Sequence, residues 1–183
     1  MAHRSDDITL HEVLVFRDLA PREIDEIEAV AVEKTYEKND FICREGDAGN
    51  CLYVIKSGQV RISKITPMGS EKVLSRLGPR SFFGEMSLID GQPRSACAIA
   101  DIPSTLLNIY KTDMDRLLDK NSVAAYKIIH AFARVISYRL RKMNEELVNI
   151  FSDPDRTIRE IMESEQQLMR LMLISGWYYE GPE

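Results

Sequence analysis

The chain has 183 residues, 44% apolar and 29% charged, with 24 basic against 29 acidic side chains and a net charge of −5. That is the make-up of one globular domain with appendages; it excludes global disorder, and the acidic balance excludes coating nucleic acid by charge alone. No run approaches the ~18 apolar residues that a membrane span needs, residues 1–7 lack a secretory apolar core, and Cys43, Cys51 and Cys97 form neither a CxxC motif nor an even disulfide set, so the expected setting is reducing cytoplasm.

Seven of the nine glycines lie between Gly46 and Gly91, which predicts short strands and tight turns in the middle and helix on both flanks. The first flank predicts a helix over residues 8–16. A second starts at Pro21, with Glu23 and Asp25 in its first turn and Ile24, Ile27, Val30 and Ala31 at helical spacing. From about Thr35 the period shortens. Leu52-Tyr53-Val54-Ile55 is a strand run, and Val60 and Ile62 alternate with Arg61 and Ser63. Further strands are expected near residues 73–77, 96–100 and 105–110, with turns at Ser57-Gly58 and at residues 67–70. Short strands at this spacing suggest a sandwich or barrel.

Thr112, with Asp115 three residues on, reads as the cap of a short helix to about Lys120. A long helix follows from Ser122. Its apolar positions Ile129, Ala133, Ile136, Leu140, Met143, Leu147 and Ile150 step by four and three, which makes a heptad stripe suited to pairing with a second copy. Ser152-Asp153-Pro154 ends this helix and opens another to about Ile174, with an uneven apolar face of Ile158, Ile161, Met162, Leu168, Leu171 and Met172. The aromatic tail Trp177, Tyr178, Tyr179 needs a surface to cover.

Residues 82–96 carry the chemistry. Gly84 permits close backbone approach, and Glu85 to Asp90 fit one or two helical turns whose first amides are unpaired. Arg94 then arrives beside Ser95 and Ala96. A guanidinium fork, a hydroxyl, free amides and a carboxylate describe a site for a singly charged sugar phosphate. The same residues also allow a plain connecting turn in which Arg94 pairs with Glu85 or Asp90.

The segment resembles the phosphate-binding cassette of the cyclic nucleotide-binding domain family, which includes catabolite activator protein, protein kinase A regulatory subunits and cyclic-nucleotide-gated channels. The matching residues are Phe83, Gly84, Glu85, Met86, Leu88, Pro93, Arg94, Ser95 and Ala96. Upstream, Ile42, Cys43, Gly46, Asp47, Gly49, Leu52, Tyr53, Val54, Ile55 and Gly58 are similar to the family's early-strand signature. The likeness extends over about residues 12–150.

The resemblance implies a mainly β fold: an eight-stranded antiparallel jelly roll with flanking N-terminal helices and a long C-terminal helix. It implies N-terminal helices over 1–33, a cyclic nucleotide-binding core over 34–111, a hinge and long helix over 112–151, and an extra helix and tail over 152–183. Gly84 and Glu85 would hold the ribose 2′-hydroxyl, Arg94 and Ser95 the cyclic phosphate, and Met86 and Ser87 would add backbone contacts. Arg141, Met143 and Asn144 fall where the long helix would meet the base. The expected ligand is cAMP, with Ser95 leaving cGMP open. The expected protein is a stand-alone, non-enzymatic sensor acting on an effector protein through its long helix as a homodimer; the alternative is a ligand-free dimerisation module of the same fold. Only about 30 residues follow Ile150, too few for a winged helix, so no DNA partner is expected. His3, His11 and His130 are dispersed, and no P-loop or GxSxG elbow is present, so neither a metal centre nor catalysis is expected.

Overall fold

A computed structural model describes residues 8–66 and 68–152. Two short 3-10 turns, Leu10–Glu12 and Leu14–Phe16, precede α1 (Pro21–Glu28). The strands are β1 (Ala31–Tyr36), β2 (Phe41–Cys43), β3 (Cys51–Ser57), β4 (Val60–Ile65), β5 (Glu71–Leu77), β6 (Phe82–Phe83), β7 (Cys97–Ala100) and β8 (Ser104–Tyr110). Helix α2 (Glu85–Asp90) lies between β6 and β7, and α3 (Lys111–Asp119) and α4 (Val123–Ser152) follow β8. The chain divides into a unit ending at Arg134 and another beginning at Val135.

The strands form two four-stranded antiparallel sheets, ordered β1-β8-β3-β6 and β2-β7-β4-β5. This is the eight-stranded antiparallel architecture expected from the resemblance. The apolar run in β3 follows from its place between two cores. Successive side chains alternate faces, and Cys51 to Ile55 are all buried. Cys51, Tyr53 and Ile55 join the interior of the roll with Ile42, Val60, Phe83, Ala98 and Leu106. Val54 stands opposite Phe82 on the other face, and the Phe82 ring packs 5.9 Å from Phe132 of α4. The start of α4 therefore closes the outer side of this sheet. Two polar ties reinforce it: Lys127 pairs with Glu23 of α1 at 2.7 Å, and the Ser122 hydroxyl donates to Glu26 at 2.9 Å.

Several boundaries differ from those read in the sequence. Residues 8–16 form two 3-10 turns because Val13 between them is extended (ψ 130°) and fully buried. Helix α1 ends at Glu28, and β1 takes up Ala31, which the helical spacing had included. Its pattern is almost wholly exposed, so it carries no apolar alternation to announce a strand. Thr112 does not cap α3; the cap position is Tyr110, and Lys111 already lies in the helix. Asn121, at φ 57°, breaks the chain after α3, and the Ser122 hydroxyl accepts from the Ala125 amide at 3.3 Å to start α4. Residues 153–183, with the expected last helix and aromatic tail, lie outside the described residues.

Candidate functional site

Helix α2 is set between two left-handed glycines, Gly84 (φ 88°) and Gly91 (φ 67°). Gly84 is required twice over. Its φ is strained for any side chain, and a Cβ there would lie 2.6 Å from Arg94 Nη1 and 2.8 Å from the Cys51 carbonyl oxygen. As a cap it offers no side-chain acceptor to the first amides of α2.

Arg94 is 5% exposed. Its Nη1 donates to the Gly84 carbonyl at 3.1 Å and its Nη2 to the Cys51 carbonyl at 2.6 Å. The guanidinium carbon sits 5.2 Å from the centre of the Tyr53 ring, which itself stacks on Phe83 at 4.8 Å. Nε is buried with no hydrogen-bond partner. Arg94 is thus turned into the roll under the start of α2, two of its donor arms held by backbone and Nε unpartnered.

The upstream glycine motif holds this arrangement in place. The Gly46 amide donates to the Arg94 carbonyl at 2.9 Å, and the Arg94 amide donates to the Asp47 carbonyl at 2.8 Å. Asp47 is fixed in turn, since its Oδ2 accepts from the Arg44 amide at 2.7 Å. Gly49 packs directly against Ser87 and the Gln92 carbonyl. Two sequence motifs some distance apart are therefore one structural unit.

The structure brings Gly84, Glu85, Ser87 and Arg94 together. Glu85 is 2% exposed at the first position of α2, and Ser87, two residues on in the same turn, is buried with its hydroxyl reaching toward the Pro93 carbonyl. Ser95 is exposed beside Arg94, and Met86 points outward. Arg141, Met143 and Asn144 belong to the unit beginning at Val135 and are exposed on α4. The Cys51 carbonyl, the Tyr53 ring and Gly49 are site features that sequence reasoning missed; Gly49 and Tyr53 belong to the upstream motif, and Cys51 is an unmatched position within its span.

The cysteines beneath the site are free. Burial pushes the Cys51 thiol up to about 12, against the pull of the Arg94 and Lys34 charges, and burial raises Cys43 as well. Only the thiolate is a nucleophile, so alkylation of the native chain at about pH 8 is expected to leave Cys51 unmodified until the protein unfolds; peptide mass spectrometry checks this. Among the described residues no group of His, Cys, Asp and Glu side chains could hold a metal ion, and no helix is long and apolar enough to cross a membrane.

The cyclic nucleotide-binding domain family model matches residues 33–121. Over 156 residues the chain is 30% identical to the CRP-like cAMP-activated global transcriptional regulator of Mycobacterium tuberculosis, covering 84% of this chain and 67% of the relative. The chain belongs to the cyclic nucleotide-binding domain family. It is also 35% identical over 133 residues to the cyclic AMP receptor protein of Thermus thermophilus, covering 73% of this chain and 60% of the relative. The domain therefore spans only part of the length of that receptor. Among solved structures, the N-terminal domain of a transcriptional regulator from Streptomyces coelicolor superposes with a TM-score of 0.65 at 32% identity, covering 76% of this chain and 95% of that one. The family is a ligand-binding regulatory domain, and the buried arginine under α2 lies within its matched residues.

Proposed function

We propose that the domain is a cAMP sensor, with cGMP as second ligand, and that the cyclic phosphate sits against Arg94. The observation that carries this is the Arg94 side chain: a buried cation whose Nε has no partner, locked under a helix that opens on a glycine. A buried donor of this kind calls for an anionic acceptor. The Ser95 hydroxyl, exposed beside it, supplies a second contact to the phosphate, and Glu85 with the Gly84 backbone meets the ribose hydroxyl. Met86 and Ser87 contribute main-chain contacts. Two relatives are named for cAMP, which supports cAMP as the first ligand to test. Binding is the whole of the chemistry proposed for this set, that of a non-enzymatic regulator.

Signalling follows from the chain's own connectivity. Ligand at α2 shifts the balance between two placements of α4, provided its affinity for the two differs, and α4 presents the result to an effector protein. The base contacts at Arg141, Met143 and Asn144 belong to this step. The α4 stripe pairs with a second copy: Leu140, Met143 and Leu147 are 55%, 55% and 43% exposed in the single chain, at heptad spacing. The combined change Leu140→Glu and Leu147→Glu is expected to convert a homodimer into a monomer in sedimentation velocity; an unchanged sedimentation coefficient would contradict the pairing. The working location is the cytoplasm, where free thiols persist.

Isothermal titration with cAMP and with 5′-AMP tests the reading. A saturable site for cAMP at one per chain, with much weaker 5′-AMP binding, is expected. Absence of heat with either nucleotide would leave the ligand-free dimerisation module as the better description.

A further inference from the structure

Strand β3 gives Arg94 a ring as well as an acceptor. Cys51 and Tyr53 lie two residues apart on it and so share one face, and both belong to the interior cluster with Phe83. The Cys51 carbonyl takes Nη2 of Arg94 at 2.6 Å. The guanidinium carbon lies over the Tyr53 ring, 5.2 Å from its centre. Tyr53 stands opposite Phe83 across the β3–β6 pair, and the two rings stack at 4.8 Å with their planes 18° apart. Phe83 immediately precedes Gly84, whose carbonyl takes Nη1 at 3.1 Å. The guanidinium is thereby bounded by two carbonyls at its Nη ends and by an aromatic face, and Nε is the buried donor without a partner.

A ring holds a cation differently from a carboxylate. Its quadrupole presents partial negative charge to the guanidinium, and the attraction is largest where water is excluded; Arg94 and Tyr53 are both buried. A carboxylate at position 53 would hold the same cation, but it would neutralise it and compete with an incoming anion. The Tyr53 phenol does not become such an anion, because burial pushes its pKa well above the ordinary phenol range. The stack on Phe83 fixes the plane of the ring, and with it the face offered to the cation.

We propose that Tyr53 is a positioning residue for the ligand site: its ring face holds the Arg94 guanidinium, charge intact, in the orientation that offers Nε to an anionic ligand. This rests on Arg94 binding the cyclic phosphate. Without the ring, the arginine has to be ordered by the ligand itself, and the cost of that ordering is subtracted from the affinity.

Titration calorimetry with cAMP on the full chain tests the assignment. The variants are Tyr53→Phe, the same phenylalanine with one, two or three ring fluorines, and Tyr53→Leu. Fluorine draws charge from the ring face with little change of shape, so a tyrosine that serves packing alone gives a flat series. Tyr53→Phe should bind cAMP within about twofold of the wild type, because it keeps the ring face. Affinity should then fall with each fluorine, by roughly fivefold at three, and by about tenfold in Tyr53→Leu. If Tyr53→Leu does not fold, the fluorinated series decides the matter. A flat series, while Arg94→Ala weakens binding, would overturn the role of the ring and leave the phosphate site standing. If the wild type binds no cAMP, or Arg94→Ala binds it as tightly as the wild type, the phosphate site fails and the assignment fails with it.

Discussion

Arg94→Ala is expected to lower cAMP affinity by about one to two decades, the equivalent of ~1.5–3 kcal/mol for a lost hydrogen bond to a charged group. The effect is large because the side chain is doubly committed. Its Nε, buried without a partner, is the donor proposed for the ligand, and the side chain ties the Gly84 carbonyl at the head of α2 to the Cys51 carbonyl of β3. Truncation therefore removes the phosphate contact and strands two backbone acceptors, so the melting midpoint should fall as well. Arg94→Lys tests geometry apart from charge. An ammonium keeps the cation but cannot span both carbonyls and still present Nε, and affinity should fall although the charge is conserved. Titration calorimetry with scanning calorimetry reads both quantities. Unchanged cAMP affinity in Arg94→Ala would remove the arginine from the site.

The second large effect is expected at Gly49, which has no polar group to lose. A Cβ there would overlap Ser87 Cβ outright, and would lie 2.6 Å from Ser87 Oγ and 2.9 Å from the Gln92 carbonyl oxygen. The obstacle is a short side chain at its root and a backbone atom, neither of which can swing aside. Gly49→Ala should therefore displace α2 or the loop after it, at ~1–3 kcal/mol for overpacking a filled space. Because the Asp47 carbonyl in the same loop holds the Arg94 amide, the strain should reach the ligand site and weaken cAMP binding too. Thermal unfolding and calorimetry check the pair of effects. A variant with native stability and native affinity would show that the loop does not clamp the cassette.

These two positions also show how much the sequence disclosed. Helix α2 was legible to the residue, Glu85–Asp90, because glycines bracket it and both take positive φ. The β3 run was legible because both of its faces are buried, so every residue in it is apolar. By contrast β1 is largely exposed and β6 has only two residues, too little pattern for a period of two to register. The N-terminal turns imitate one helix in sequence: buried Leu10, Val13 and Phe16 are three residues apart although Val13 is extended. The cassette side chains were readable as a set through the resemblance, but the clamp on Arg94 is made by the Gly46 amide and by the Asp47 and Cys51 carbonyls, and backbone groups leave no trace in residue identity.

The proposed site turns on contact between the Arg94 Nε–H and the cyclic phosphate. It is tested most directly by following that N–H signal in nitrogen-edited NMR while cAMP is added. The Arg94 Nε–H resonance is expected to move on binding, to saturate at one cAMP per chain, and to stay put with adenosine, which lacks the phosphate. If cAMP binds while this resonance does not shift, the arginine serves only to brace the fold, and the nucleotide is held elsewhere.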